Sequence, residues 1–434
     1  MTVDRPADSV SAASTMPPVA ELPKIHDAAQ QARHLRQVLQ DDKQRIGFFL
    51  GAGCPLGVYD ATEEKSVLLI PGVVDLTKRV ATGMLESPVA SSRFKQQWDA
   101  VFDECTSPDG REPTVEDVLT ELRALANRRG NATILEMTKK DLSDLDEQIC
   151  TLITKEVNKS LPAYRNAYTR FASWIGGVQR DWPAEVFTPN YDLLFEQALE
   201  QQRLPHFDGF VGSREPWFDL SSIEHDVIPR RWTRLWKLHG SINWEKKDDI
   251  VDATTVTRIV RVTGAAAEGK VMIYPSHLKY DQSRRMPYLA MLDRLRAFFH
   301  GQDAPRLIIC GYSFLDDHLN EILLDGLRGN RNAQCFALMY SDLASHSRVV
   351  DYASKQGNLT VLATDGAVVG TRAGRYRPVT KDSEEHSPWL IGEVGTSGDP
   401  KNDGTRSRLG DFHYFGVFLE GICRGDARDA HATT

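Results

Sequence analysis

Ile46-Gly47-Phe48-Phe49-Leu50-Gly51-Ala52-Gly53-Cys54-Pro55 decides how the chain is read. A short apolar run ends in a Gly-x-Gly turn, the pattern of a strand that feeds a tight bend. Comparable runs return at Ala184 to Thr188, Leu235 to Leu238, Val271 to Tyr274, Arg306 to Cys310, Gln334 to Met339 and Leu359 to Ala363. Helical spacing fills several of the gaps between them, as in Pro287 to Phe299 and Asp317 to Leu327. Strands alternating with helices predict an α/β fold built on a parallel sheet with helices on both faces.

Upstream of the decisive stretch, apolar positions Ala28, Ala32, Leu35, Val38 and Leu39 recur at helical spacing, which predicts a helix over Asp27 to Gln44. Downstream, Ile70 to Gly177 reads as mostly helical, an insertion module over about 70–180. Thr114 opens one of its helices, with Glu116 and Asp117 at the positive end of the helix dipole. Glu147 to Leu161 and Ala163 to Ile175 read as two more. Met1 to Leu22, rich in Ala, Ser, Pro and Val, reads as a flexible tail. Arg375 to Ser407 is polar and Gly-rich and reads as a loop, followed by an apolar closing element from Phe412 to Ile422 and a tail from Arg424. The chain therefore divides into a tail (1–25), one main domain (26–375) and a loop with a closing element (376–434).

The 434 residues suffice for a large core, and hydrophobic and charged fractions of 41% and 26% are those of an ordinary globular protein. A net charge of -8 gives no sign of direct nucleic-acid binding. No apolar stretch approaches the roughly 18 residues a membrane helix needs, and the N-terminus lacks the apolar segment of a secretion signal. The six cysteines are scattered and form no C-x-x-C pair, so neither a zinc ribbon nor a disulfide framework is expected. A reducing cytoplasm is the simplest compartment.

Four segments carry chemical signals. Gly51-Ala52-Gly53 fits either an ordinary tight turn or a cradle in which backbone, and the amides of the next helix, approach a pyrophosphate; the third glycine of the full G-x-G-x-x-G pattern is replaced by Leu56. Thr188-Pro189-Asn190-Tyr191-Asp192 follows a predicted strand, where polar residues face the ligand crevice of a wound sheet. Asn190 offers an uncharged amide for a hydroxyl, carboxamide or water. Asp192 can do the same or can cap the helix after it. Lys237-Leu238-His239-Gly240-Ser241 places a histidine at a second strand end, where its titration near neutrality suits a general base. Gly311-Tyr312-Ser313-Phe314 ends a third strand, so Ser313 and the Gly311 backbone can hold a phosphate or ribose, while Asp316 and Asp317 read as helix caps.

These four motifs, in this order, resemble the sirtuin-like superfamily, over roughly Ile46 to Ala363. The resemblance implies a Rossmann-like fold with an inserted helical module and NAD as the substrate, with no metal. It puts Gly51, Ala52 and Gly53 on the NAD phosphates, with Cys54 beside them among the NAD-binding residues. Asn190 and Asp192 fall by the nicotinamide and its ribose and join His239, the catalytic histidine, as catalytic residues; Ser313 lies near the phosphate or adenosine side, and Thr188 and Gly311 count among the NAD-binding residues. Protein-deacylating sirtuins carry a zinc module with two C-x-x-C pairs, and this chain has none. With its long helical insertion it resembles the NAD-hydrolysing branch of bacterial anti-phage defence, and within that branch the sirtuin-like partner of a HerA-type ATPase. That branch implies NAD depletion as the defensive act, switched on by assembly as a homo-oligomer and with the ATPase. A sensor that binds NAD or ADP-ribose without turnover, or an NAD-dependent deacylase, are the alternative readings.

Overall fold

The computed structural model describes residues 22–60, 67–86, 91–105, 110–128, 133–225, 227–251, 254–266, 271–273, 287–300, 303–378, 387–392 and 405–424. The expected tails before residue 22 and after Arg424 lie outside them.

Twelve helices are found among the described residues: α1 (Ala28–Gln40), α2 (Val73–Glu86), α3 (Ser91–Glu104), α4 (Val115–Ala126), α5 (Lys139–Val157), α6 (Ala167–Gly177), α7 (Leu194–Gln201), α8 (Leu220–Glu224), α9 (Tyr288–Phe299), α10 (Asp317–Gly329), α11 (Ser347–Lys355) and α12 (Phe412–Arg424). Their starts follow from local chemistry. Asp27 accepts from the Gln30 amide to open α1, and Thr114 with Asp117 closes a reciprocal capping pair at α4. Thr138 and Asp141 do the same at α5, which therefore starts eight residues earlier than its apolar spacing suggested, at Lys139 rather than Glu147.

The central sheet runs, edge to edge, Lys24–His26, Arg372–Tyr376, Gly366–Val369, Leu359–Leu362, Gln334–Leu338, Arg306–Cys310, Ile46–Leu50, Glu185–Thr188, Thr233–Lys237 and His206–Phe207. Its seven strands from Leu359–Leu362 to His206–Phe207 pair in parallel. Alternation along each strand splits the core in two. Phe48, Leu50, Val186, Leu235, Ile308 and Cys310 face one cluster, which α1 to α7 and α12 cover. Phe49, Phe187, Trp236, Leu307 and Ile309 face the other, covered by α8 to α11. Both faces are buried, which is why the strands read as continuous apolar runs.

The chain leaves Ile46–Leu50 through α2 to α6 and pairs Glu185–Thr188 on one flank; it later returns to the opposite flank with Arg306–Cys310. The winding reverses at Ile46–Leu50, and a crevice opens at such a reversal, outside the carboxyl ends of the strands.

Other parts also differ from the sequence expectation: Lys24–His26 is an edge strand although the tail was expected to run to residue 25, and Val271–Ile273, expected among the parallel strands, pairs antiparallel outside the central sheet. The Arg375 to Ser407 stretch is not simply a loop: Arg372–Tyr376 joins the central sheet, and Leu390–Gly392 pairs with Thr405–Ser407. A second, five-stranded sheet, built on the long antiparallel pair Gly240–Val251 and Thr254–Arg261, was not anticipated. Lys246, Lys247, Asp248 and Asp249 break the apolar alternation that would have marked it.

Candidate active site

Two glycine turns meet at the reversal point. The Gly53 amide donates to Gly311 O at 2.8 Å and the Gly51 amide to Cys310 O at 2.9 Å. A Cβ on Gly51 would lie 2.3 Å from Gly311 O, and one on Gly53 would lie 2.9 Å from Gly311 Cα. Gly311 itself holds a left-handed φ of +67°. These glycines are thus required first by backbone-to-backbone contact between the turns. The element after Gly53 is not an α-helix but a single 3-10 turn, Pro55–Gly57. Pro55 has no N–H, and the Cys54 amide returns to Gly51 O at 3.0 Å. The expected helix amides are therefore not what this turn presents.

The Asn190 loop is pinned to the same turn. Thr188 Oγ1 donates to Leu50 O at 2.7 Å and accepts from the Asn190 amide at 3.1 Å. Asn190 Nδ2 donates to Gly51 O at 3.1 Å, which turns the amide oxygen toward open space. One strand further, the Leu238 amide donates to Thr188 O at 2.7 Å, which brings His239 alongside.

Beneath the loop runs a buried ionic network. Lys237, 1% exposed, donates to Glu196 Oε1 at 2.9 Å and to the main-chain oxygens of Tyr191 and Asp192. Asp192 Oδ1 accepts from the Leu194 amide at 3.0 Å; Leu193, not Asp192, is the N-cap of α7, so Asp192 braces the turn just before the helix. Burial pushes the Asp192 carboxyl up from 3.8 to about 6, against the pull of Lys237. Tyr191 donates to Glu116 Oε1 at 2.9 Å, tying the Asn190 loop to the first turn of α4.

The two turns and the Asn190 loop border one cavity of about 1300 Å³. Asn190, Asp192, His239, Ala52, Gly53, Gly311 and Ser313 line it. Gly51, Cys54 and Thr188 are not among its described lining residues. Cys54 is a correction to the sequence reading: its side chain is fully buried, and Sγ donates to Cys310 O at 3.3 Å, pointing into the core. Burial also pushes this thiol up, so it is inert rather than ligand-facing. Thr188 likewise holds the loop from behind.

The cavity also gathers residues that motif reading passed over. Lys78, Arg111 and Glu116 come from the helical module, and Asp411, His413 and Tyr414 from the start of α12. No local signal tied them to a site, and Glu116 was read only as a helix-start carboxylate, because each reaches the cavity by packing of a distant segment. Asp316 was read as a helix cap, and it is one: Oδ1 accepts from the Leu319 amide at 3.1 Å. Its other oxygen, Oδ2, sits 3.2 Å from His239 Nε2. The aspartate five residues after Gly311 was the available signal.

Among the described residues no group of three or more His, Cys, Asp or Glu side chains is arranged to hold a metal ion, and no helix is long and apolar enough to cross a membrane. The arrangement offers an amide oxygen, a histidine with a carboxylate beside it, and a partly apolar chamber, a set suited to orienting a hydroxyl or water and moving a proton.

Residues 184–361 match the SIR2-like domain family. This supports the sirtuin-like resemblance over the stretch that holds Asn190, His239 and Asp316; the Gly51 turn and α2 to α6 lie outside it. No curated protein matches the chain.

Proposed function

We propose that the chain hydrolyses NAD at the bond between nicotinamide and ribose. The observation that carries the reading is the convergence of Asn190 and His239, two residues of the SIR2-like match, from neighbouring strand ends on one cavity. At about 1300 Å³ the cavity has room for a dinucleotide, since ligand pockets typically run to about 300–1,000 Å³.

In this reading the glycosidic electron pair leaves with the pyridinium nitrogen, so nicotinamide departs neutral and needs no general acid. The sugar passes through an oxocarbenium-like state. The Asn190 amide oxygen, fixed by the Nδ2 bond to Gly51 O, faces this positive charge and orients a ribose hydroxyl or the attacking water. Water adds to the sugar carbon, and its proton passes to His239 directly or through a ribose hydroxyl. Asp192 lies under the same loop and adds negative charge when ionised. Ser313 and the Gly53 and Gly311 backbone border the phosphate and adenosine side. The products are nicotinamide and ADP-ribose. Anti-phage defence by NAD depletion, with control by assembly as a homo-oligomer and with a HerA-type ATPase, belongs to the same proposal and rests on the resemblance.

The test is nicotinamide release from NAD by the wild-type chain, Asn190→Ala and His239→Ala, each alone and with a HerA-type ATPase added. Loss of release in both variants, with folding unchanged, is expected. Equal release by all three proteins would overturn the assignment. Tight NAD binding without any release would favour the sensor reading.

A further inference from the structure

We infer that Asp316 is the positioning residue of His239: it keeps the ring proton on Nε2 and leaves Nδ1 as the nitrogen that accepts a proton. The inference deepens the hydrolase reading and rests on it for the meaning of the proton transfer, though not for the geometry.

His239 Nε2 and Asp316 Oδ2 lie 3.2 Å apart, with the two side chains only 9% and 12% exposed. Nε2 is shut off from solvent, whereas the ring borders the cavity, so Nδ1 is the ring nitrogen left to face it. The approach of Nε2 to Oδ2 is off-axis for a hydrogen bond, and such contacts tighten when a substrate closes the site. The carboxylate cannot swing away, because Oδ1 is held by the Leu319 amide at the first turn of α10. A 13-residue helix therefore aims a fixed negative charge at the histidine. An anionic acceptor beside Nε2 selects the Nε2–H tautomer and supplies a counter-ion once Nδ1 takes up a proton.

The same site shows why the carboxylate, rather than any cap, is wanted. Asn serves as well as Asp at a helix start. Asp316→Asn keeps the bond to Leu319 but can offer an amide N–H to Nε2, which reverses the tautomer.

The experiment uses the full chain labelled with nitrogen-15 histidine, at alkaline pH where imidazoles are neutral, with His239→Gln to assign the signal among 12 histidines. Wild type is expected to show a protonated Nε2 and a bare Nδ1 at His239, and Asp316→Asn the opposite. Turnover of NAD by Asp316→Asn should fall on the order of 10²- to 10⁴-fold in kcat, with KM within about threefold. Asp316→Glu should recover part of that loss. The melting temperature of Asp316→Asn should stay within about 2 °C of wild type, since the cap survives. Asp316→Ala should lower it, and if that variant fails to fold the Asn variant still decides. The same tautomer in wild type and Asp316→Asn, or an unchanged kcat, would overturn the inference. Should wild type release no nicotinamide, the hydrolase reading fails, and the tautomer measurement still decides the role of Asp316.

Discussion

Asp192 gives a pH-dependent stability that can be isolated with one substitution. Its carboxyl titrates at about 6 in the folded chain against an ordinary 3.8, chiefly because it is buried. A raised folded pKa means that the native state binds the proton more tightly than the unfolded state does. The group therefore favours folding most below pH 3.8, and its ionisation costs stability progressively from there up to about pH 6. At about 1.36 kcal/mol per pH unit, the cost is about 1.5 kcal/mol at pH 5 and about 3 kcal/mol at pH 7. Asp192→Asn keeps the acceptor for the Leu194 amide, retains the shape and does not ionise. Wild type and variant should be unfolded in urea at intervals from pH 4 to 8. Relative to wild type, the variant is expected to gain stability by about 2–3 kcal/mol between pH 4 and pH 7 and to change little above that. Stability curves that run parallel across this interval would refute the burial argument. Activity in the same variant is a separate readout, because the carboxylate also borders the cavity.

Lys237→Met removes the ammonium paired with Glu196 and two main-chain bonds under the Asn190 loop. Breaking a buried pair from one side should cost about 3–5 kcal/mol in chemical denaturation. Gly311→Ala forces a side chain onto a φ of +67° with its Cβ 2.6 Å from the Cys54 amide nitrogen, so a loss of about 2–5 kcal/mol is expected. Gly329→Ala, which meets nothing within 4 Å, should change stability by less than about 1 kcal/mol in the same measurement. Mass spectrometry after brief alkylation of the native chain should find label at Cys423, the exposed cysteine, before Cys54, Cys150, Cys310 or Cys335, all of which are buried.

Much of the architecture was legible because both faces of the sheet are covered. Ile46–Leu50 and Leu307 to Cys310 are apolar runs, and that uninterrupted pattern survives in the sequence. The helices were legible in existence and less so in extent, since Thr138 and Asn166 set the starts of α5 and α6 by capping bonds that apolar spacing does not register. The second sheet was missed because Gly240–Val251 carries charges where alternation should appear.

The chain order of short motifs determined the candidate residues at the strand ends, because a parallel strand delivers whatever follows it to the same edge of the sheet. Which of those residues share a cavity, and in what posture, was decided only by tertiary packing. Cys54 turned into the core, since the second glycine turn occupies the space beside it, and Thr188 became a tether. Asp316 came within 3.2 Å of His239 because α10 begins beside the neighbouring turn. A helix cap and a histidine partner are the same residue type at the same position in sequence. Only the direction of its second oxygen, fixed by the packing of two distant segments, separates them.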